Sequence, residues 1–170
     1  MAGSLVLVNS LTASSSASIT LTGVDSTYDV YQVVISNVVG STDLTDVHLR
    51  LTVSGSADDS ANYSRACVQI KADSSFSDQS ENNVTKDILG DTGTGTGEKL
   101  NAVLYLFNFS NASEYSFYTY ETSYLTATPD LRGRQGGSVL KETQATDGLH
   151  FYMSSGNIAS GEFKLYGLKK

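Results

Sequence analysis

The chain has 170 residues and a mass of 18.1 kDa, a length that fits a single domain, residues 1–170, with a core of its own. Its formal net charge of -7 at pH 7 argues against a nucleic-acid partner, because phosphate binding depends on clustered Lys and Arg. The only cysteine, Cys67, excludes a disulfide within the chain.

The first ten residues contain no Lys or Arg, so they lack the charged segment that opens a secretory signal. No apolar run in the chain approaches the 18 or so residues of a membrane span. We therefore expect a soluble protein that is made in a cytosol and has no membrane partner.

Apolar residues that alternate with polar ones predict short strands along most of the chain. The clearest run is 46–54, where Val47 and Leu49 point to one face while His48 and Arg50 point to the other. Similar runs occur at residues 5–8, 19–21, 28–35, 65–71, 100–109, 115–125 and 138–142, followed by a terminal hairpin within 147–170. About ten strands at this spacing predict an all-β fold, a single antiparallel β-sandwich that is jelly-roll-like.

Two segments interrupt the strands. Residues 72–97 are mostly Asp, Ser, Asn, Thr and Gly, and we expect a long surface excursion and a candidate contact region there. Residues 126–137 contain the single proline and then Arg132 and Arg134 among glycines, which predicts a basic loop. Such a loop on an acidic protein either docks on an acidic neighbour or is simply solvated.

The strand at 100–109 is apolar on both faces, since Leu104 lies on one and Tyr105 and Phe107 lie on the other. In a two-layer sandwich only one face of a strand is buried by the opposite sheet. The pattern therefore predicts that a long loop or a second subunit covers the other face, and it makes Tyr105 and Phe107 candidate interface residues.

On the next strand, Tyr118, Tyr120 and Tyr124 share one face. Tyrosine rings of this kind suit a subunit interface or stacking against a sugar, so all three are candidate interface residues. Packing against neighbouring strands within the sheet is the alternative.

The sequence shows no arrangement that is typical of catalysis. His48 and His150 stand in mid-strand without metal-ligand spacing, and we expect both at the surface. The glycines of 93–97 resemble a phosphate-binding loop in composition, but a strand rather than a helix follows them. We expect no catalytic, metal or cofactor site, and a protein that is not an enzyme.

Several short stretches resemble a family of small proteins of tailed bacteriophages. They are DSTYD at 25–29, VHLRL at 47–51, LYLFN at 104–108 and, above all, FYMSSGNI at 151–158 with GEFKLYG at 161–167. The resemblance implies a β-sandwich building block exposed on the virion, made in the cytoplasm of the host bacterium and assembled as a homotrimer.

Two functions follow from that resemblance. The first is a capsid decoration or cement protein that stabilises the head by binding the major capsid protein. It is favoured by the short chain and by the absence of a fibrous repeat or coiled-coil stalk. The alternative is a receptor-binding module of a tail fibre or head fibre, which would bind fibre proteins and recognise a host-surface glycan.

Overall fold

The structure, a computed structural model, describes residues 4–72, 76–128 and 130–169. Within these ranges the chain forms strands and connecting turns, and no helix in them is long and apolar enough to cross a membrane. The strands are β1 (Ser4–Ser16), β2 (Ser18–Thr22), β3 (Val30–Gly40), β4 (Thr45–Val53), β5 (Ser56–Ala57), β6 (Tyr63–Lys71), β7 (Ser77–Val84), β8 (Asp87–Thr92), β9 (Leu100–Phe107), β10 (Ser116–Leu125), β11 (Leu131–Leu140), β12 (Gly148–Met153) and β13 (Ile158–Lys169).

The strands form two antiparallel sheets that pack into a sandwich. One sheet has eight strands in the order β1-β13-β3-β9-β10-β11-β6-β7. The other has the order β2-β12-β4-β5, with β8 also paired to β4. The prediction of an all-β antiparallel sandwich is confirmed.

The strand pairing is that of a jelly roll. Strands β1, β2, β3 and β4 from the first part of the chain pair with β13, β12, β9 and β8 in reverse order. A long hairpin therefore wraps around the sandwich and alternates between its two sheets, as two Greek keys do in a jelly roll. Strand β13 also pairs with β3, and β12 also pairs with β4, so the strands of each sheet form one continuous ladder.

Two insertions into this hairpin widen the larger sheet. Strands β5, β6 and β7 lie between β4 and β8 in the chain, and β10 and β11 lie between β9 and β12. In space β10, β11, β6 and β7 continue the eight-stranded sheet beyond β9. The jelly roll thus carries an extension of four strands.

The insertions correct two expectations from the sequence. Residues 76–97 do not form a long surface excursion, since β7 and β8 lie there and β8 is largely buried, and residues 73–75 lie outside the described residues. Of the predicted basic loop at 126–137, residues 131–137 are strand, because β11 begins at Leu131. Arg132 and Arg134 are therefore strand residues, paired in register with Tyr124 and Thr122 of β10.

The core lies between the sheets and is built by the inward residue of each alternating pair. Phe151 of β12 meets Phe163 of β13 across the sandwich, with ring centroids 5.2 Å apart. Tyr63 of β6 is buried, and its hydroxyl accepts a 3.0 Å hydrogen bond from the backbone N–H of Leu51 on β4. Apolar packing and satisfied polar groups together join the sheets.

A buried carboxylate anchors β8 to the larger sheet. Asp87 accepts hydrogen bonds from the hydroxyls of Tyr118 and Ser138 and from the backbone N–H of Ile88. The guanidinium of Arg65 lies 3.5 Å away and is itself buried. Burial raises the pKa of Asp87, while its hydrogen bonds and Arg65 act in the opposite direction. These partners show that the buried group is structural.

Candidate functional site

The two faces of β9 and β10 separate the predicted interface residues. Tyr105 and Phe107 lie on the outer face of the eight-stranded sheet and are 43% and 37% exposed. Tyr118, Tyr120 and Tyr124 lie on the inner face and are at most 2% exposed. The structure therefore differs from the expectation that these three tyrosines contact a partner or a sugar, because the core of the sandwich encloses them.

Arg132 and Arg134 are less exposed to a partner than they would be in the predicted basic loop. Arg134 is buried, and its guanidinium donates a 2.8 Å hydrogen bond to the carbonyl of Ile88. Arg132 is about a quarter exposed and lies 3.8 Å from the carboxylate of Asp130. Only Arg132 presents charge to solvent, and an acidic neighbour would meet it beside an acidic residue of the chain itself.

The outer face of the eight-stranded sheet carries several adjoining depressions, and we call the three that follow one another from β3 to β7 the outer groove. Their volumes are about 540, 420 and 300 Å³. Adjacent depressions share Thr119 of β10, Ala66 of β6 and Gln135 of β11 among their lining residues. The groove runs across the strands from β3 to β7, roughly 24 Å at about 4.8 Å between neighbouring strands.

Cross-strand register explains how the groove is built. Tyr105, Thr119, Gly137, Ala66 and Ser80 are successive partners on β9, β10, β11, β6 and β7, so their side chains share one row on the outer face. Beyond Tyr105 the residues of this row are small. The groove follows that row because larger side chains stand in the rows on either side of it.

The wall on one side of the groove is aromatic and aliphatic. Phe107, Phe117 and Val139 are in register on β9, β10 and β11, and Phe117 is 45% exposed. Ser64 of β6 continues this row, and its hydroxyl oxygen is shielded from solvent with no hydrogen-bond partner in the described part of the chain. Phe117 and Ser64 therefore lie in the same row, with Val139 between them.

The opposite wall and one end of the groove present paired polar side chains. The amide of Gln135 donates a 2.8 Å hydrogen bond to the carboxylate of Glu121. At the β3 end, the amide of Gln32 donates a 2.9 Å hydrogen bond to the hydroxyl of Tyr105. Each pair holds a planar polar group in a fixed orientation, with further donors or acceptors left for another molecule.

The charge of the groove is negative. Glu121 and Asp78 are both exposed residues of its lining. Arg65 is the single basic residue that lines the three depressions within the described ranges, and it is buried against Asp87 and Glu81. An anionic ligand would meet repulsion without a compensating cation.

A second unusual surface is the open edge of the eight-stranded sheet at β1. This strand of 13 residues contains no charged side chain and is paired to β13 on one side only. Leu5 and Leu7 are 49% and 55% exposed, and they pair in register with Leu168 and Tyr166 of β13. We call this surface the β1 edge.

The histidines lie on the outer face of the smaller sheet. His48 is buried, so the expectation that it is a surface residue is wrong, whereas His150 is half-buried. The ring of Tyr152 lies between the two, with centroids 5.1 and 5.7 Å from theirs, and Arg50 stands over the Tyr152 ring at 5.2 Å. Across the described ranges, no three His, Cys, Asp or Glu side chains are grouped so that they could hold a metal ion.

No protein-family model matches the chain, and no curated protein matches it. Among solved structures, it is similar to fructofuranosidase from Schwanniomyces occidentalis complexed with fructose, at 8% identity over 98% of this chain and 34% of that one, with a TM-score of 0.28. It is also similar to the CBM2 module of the evolved Dit of Lactobacillus casei BL23 phage J-1, at 10% identity over 93% of this chain and 75% of that one, with a TM-score of 0.27. The chain spans about a third of the first protein. Similarities this low carry no argument about function.

Most residues of the outer groove were not predicted as site residues. Tyr105 was, from its place on a doubly apolar strand, but Gln32, Glu121 and Gln135 have no local signal in the sequence. They belong to β3, β10 and β11, and only the pairing of the strands brings them together. Besides Tyr105, the glycines Gly136 and Gly137 carry a signal, since a glycine within a strand often marks a close approach by another backbone or a ligand.

Proposed function

We propose that the chain is a structural protein of a bacteriophage virion, a capsid decoration protein that stabilises the head. The support from the sequence is the resemblance of the terminal hairpin, now β12 and β13, to small phage proteins. The support from the fold is the jelly roll, an architecture common in viral capsid domains. The proposal involves no catalytic step.

The observation that carries this proposal is the β1 edge. An open sheet edge exposes unpaired backbone N–H and C=O groups, and proteins protect such edges with charges, proline or short strands. The opposite edge, β7, follows this rule because it is polar and contains Asp78 and Glu81. The β1 edge has none of these protections and adds exposed leucines. A protein partner that covers it removes this liability.

We assign that partner to a second copy of the chain, within a homotrimer. A three-membered ring requires a heterologous contact, in which the β1 edge of one copy meets a different surface of the next. This arrangement leaves the outer groove uncovered. It moves the subunit contact away from Tyr105 and Phe107, which line or flank a recess that a flat neighbouring sheet would not fill.

Light scattering on the purified chain tests the oligomer. The expected mass is three times the 18.1 kDa of one chain. Replacing Leu5 and Leu7 together by Lys places two charges on the β1 edge, and we expect a folded monomer. Leu131→Lys is the matched control, because Leu131 is 52% exposed and lies on β11. A wild-type monomer, or a trimer that survives the double substitution, contradicts the assignment.

Counting copies in purified virions tests the role on the particle. A decoration protein that occupies symmetry-related positions over the shell should be present in a number of the same order as the major capsid protein. Quantitative mass spectrometry of the virion measures that ratio. A few dozen copies or fewer would place the protein on a tail or a fibre and overturn the decoration proposal.

A receptor-binding module of a tail fibre or head fibre is the second candidate, and the outer groove is the observation that favours it. A groove lined by rings, amides and a carboxylate suits a host-surface glycan. In this case the purified chain should adsorb to host cells and reduce infection by competition. Undiminished infection at a saturating concentration of the chain counts against this candidate.

A further inference from the structure

Gly137 occupies a position in the outer groove at which the fold does not require glycine. A Cβ added there would lie 3.5 Å from the carbonyl oxygen of Tyr118 and 3.9 Å from a methyl of Thr119, both ordinary contacts. At Gly136 and Gly133, by contrast, an added Cβ would collide with the backbone carbonyls of the neighbouring strands. Glycine in a strand lowers stability by roughly 0.5–1 kcal/mol relative to alanine. Its presence at position 137 keeps the floor of the groove open.

The aromatic and polar side chains that line the groove match the apolar and polar surfaces of a sugar ring. A sugar has apolar C–H faces, which pack on rings such as those of Tyr105 and Phe117. It also has a rim of hydroxyls, each of which both donates and accepts. The amides of Gln32 and Gln135 and the carboxylate of Glu121 supply complementary groups.

The shape and the charge of the groove narrow the ligand class further. A length of roughly 24 Å across five strand intervals suits an extended chain of several sugar units rather than a single one. The exposed acidic residues Glu121 and Asp78, without an exposed cation in the described lining, disfavour sulfated or phosphorylated polymers.

From these observations we propose that the outer groove binds a neutral oligosaccharide. Tyr105 and Phe117 stack on sugar rings, and the pairs Gln32–Tyr105 and Gln135–Glu121 bind sugar hydroxyls. Gly137 leaves the space in which the chain lies. The inference rests on the receptor-binding candidate only where it concerns the source of the glycan, which would be the host surface. A decoration protein that binds a neutral glycan would use the same groove.

A printed array of neutral bacterial and plant oligosaccharides, with a heparin hexasaccharide as the anionic probe, tests the inference on the full wild-type chain. We expect binding to at least one neutral oligosaccharide and none to heparin. Calorimetry with that oligosaccharide should then show affinity reduced roughly tenfold or more by Tyr105→Ala, which removes the stacking ring. Gly137→Leu, which fills the floor, should have a comparable effect. Tyr105→Phe should retain most of the affinity, because the ring remains.

Tyr115→Ala is the control, because Tyr115 is 41% exposed but lies outside the three depressions. It should bind as the wild type does, and unchanged thermal unfolding of each variant shows that the fold is intact. Binding to no neutral oligosaccharide, a preference for heparin, or affinity that survives both Tyr105→Ala and Gly137→Leu overturns the inference. The array uses the isolated chain, so its outcome is independent of the copy number that tests the decoration role.

Discussion

The phenol of Tyr118 on β10 donates a 2.9 Å hydrogen bond to the carboxylate of Asp87 on β8, and this bond joins the two sheets inside the sandwich. Tyr118 is a core residue at 1% exposure. It belongs to the row of tyrosines on β10, and the sequence alone does not indicate whether that row faces the core or the surface. Its position shows that the widened part of the larger sheet is held to the jelly roll by polar contacts as well as by packing.

Removing this hydrogen bond should weaken the fold without changing the surface. In Tyr118→Phe the ring remains but a buried carboxylate loses one donor, and hydrogen bonds to charged groups contribute about 1.5–3 kcal/mol. We expect the free energy of unfolding in urea to fall by about 2 kcal/mol. Tyr115→Phe, at an exposed ring, should change it by less than about 0.5 kcal/mol. Equal stability of the Tyr118 variant and the wild type would show that the bond does not anchor β8.

The stability of the protein should fall in mild acid because of His48. Burial, aided by the charges of Lys86, Arg50 and Arg65, lowers the pKa of His48 from 6.5 to about 4. As the pH falls below 6.5 the unfolded chain takes up a proton that the folded chain does not, so stability present above pH 6.5 is lost down to about pH 4. The difference between the two pKa values corresponds to a loss of about 3 kcal/mol in the free energy of unfolding.

His48→Gln removes this titration, and comparison with the wild type cancels the contribution of the other groups. We therefore expect the free energy of unfolding of the wild type to drop relative to that of the variant as the pH is lowered from 7 to 4. Parallel pH profiles of the two proteins would mean that His48 titrates normally in the folded state, and hence that its site is open to water.

Two adjacent glycines of β11 should respond differently to the same substitution. Gly136→Ala places a methyl group against the carbonyl of Ala66 and the side chain of Cys67, so the strands must move apart. Gly137→Ala places it in ordinary van der Waals contact with the carbonyl oxygen of Tyr118 and a methyl of Thr119. We expect Gly136→Ala to lower the free energy of unfolding by about 1–3 kcal/mol and Gly137→Ala to leave it unchanged or raise it slightly. A reversed order would assign the outward position to Gly136 and remove Gly137 from the groove.

The alternation of apolar and polar residues in the sequence predicts the strands that bury one face. Where both faces of a strand carry apolar or aromatic residues, it does not indicate which face turns toward the core. The run around Val47 and Leu49 and the terminal hairpin were predictable, because one side of each is apolar and the other polar. The tyrosines of β10 share a face in the sequence as they do in the structure. That the face turns inward depends on β8, whose Asp87 receives the hydroxyl of Tyr118, and no local pattern contains that information.

Strands β7 and β8 differ from the predicted surface excursion because their composition is that of a loop. Strand β7 lies at an edge and is polar on both faces, so its Ser, Asp, Asn and Glu residues cannot be distinguished from those of a surface loop. Strand β8 buries a carboxylate that is stabilised by partners 22 to 51 residues away in the chain, so no local pattern in the sequence indicates that Asp87 is buried. The outer groove escaped prediction for a related reason, since six strands contribute to it and it exists only in their register.

One map of the intact virion by electron cryomicroscopy tests the central claim most directly. The account predicts density for this jelly roll on the capsid shell, arranged as trimers, with the β1 edge against a neighbouring copy and the outer groove facing solvent. Density for the chain on a tail or fibre, or a β1 edge that is exposed while the outer groove is covered by protein, would contradict it.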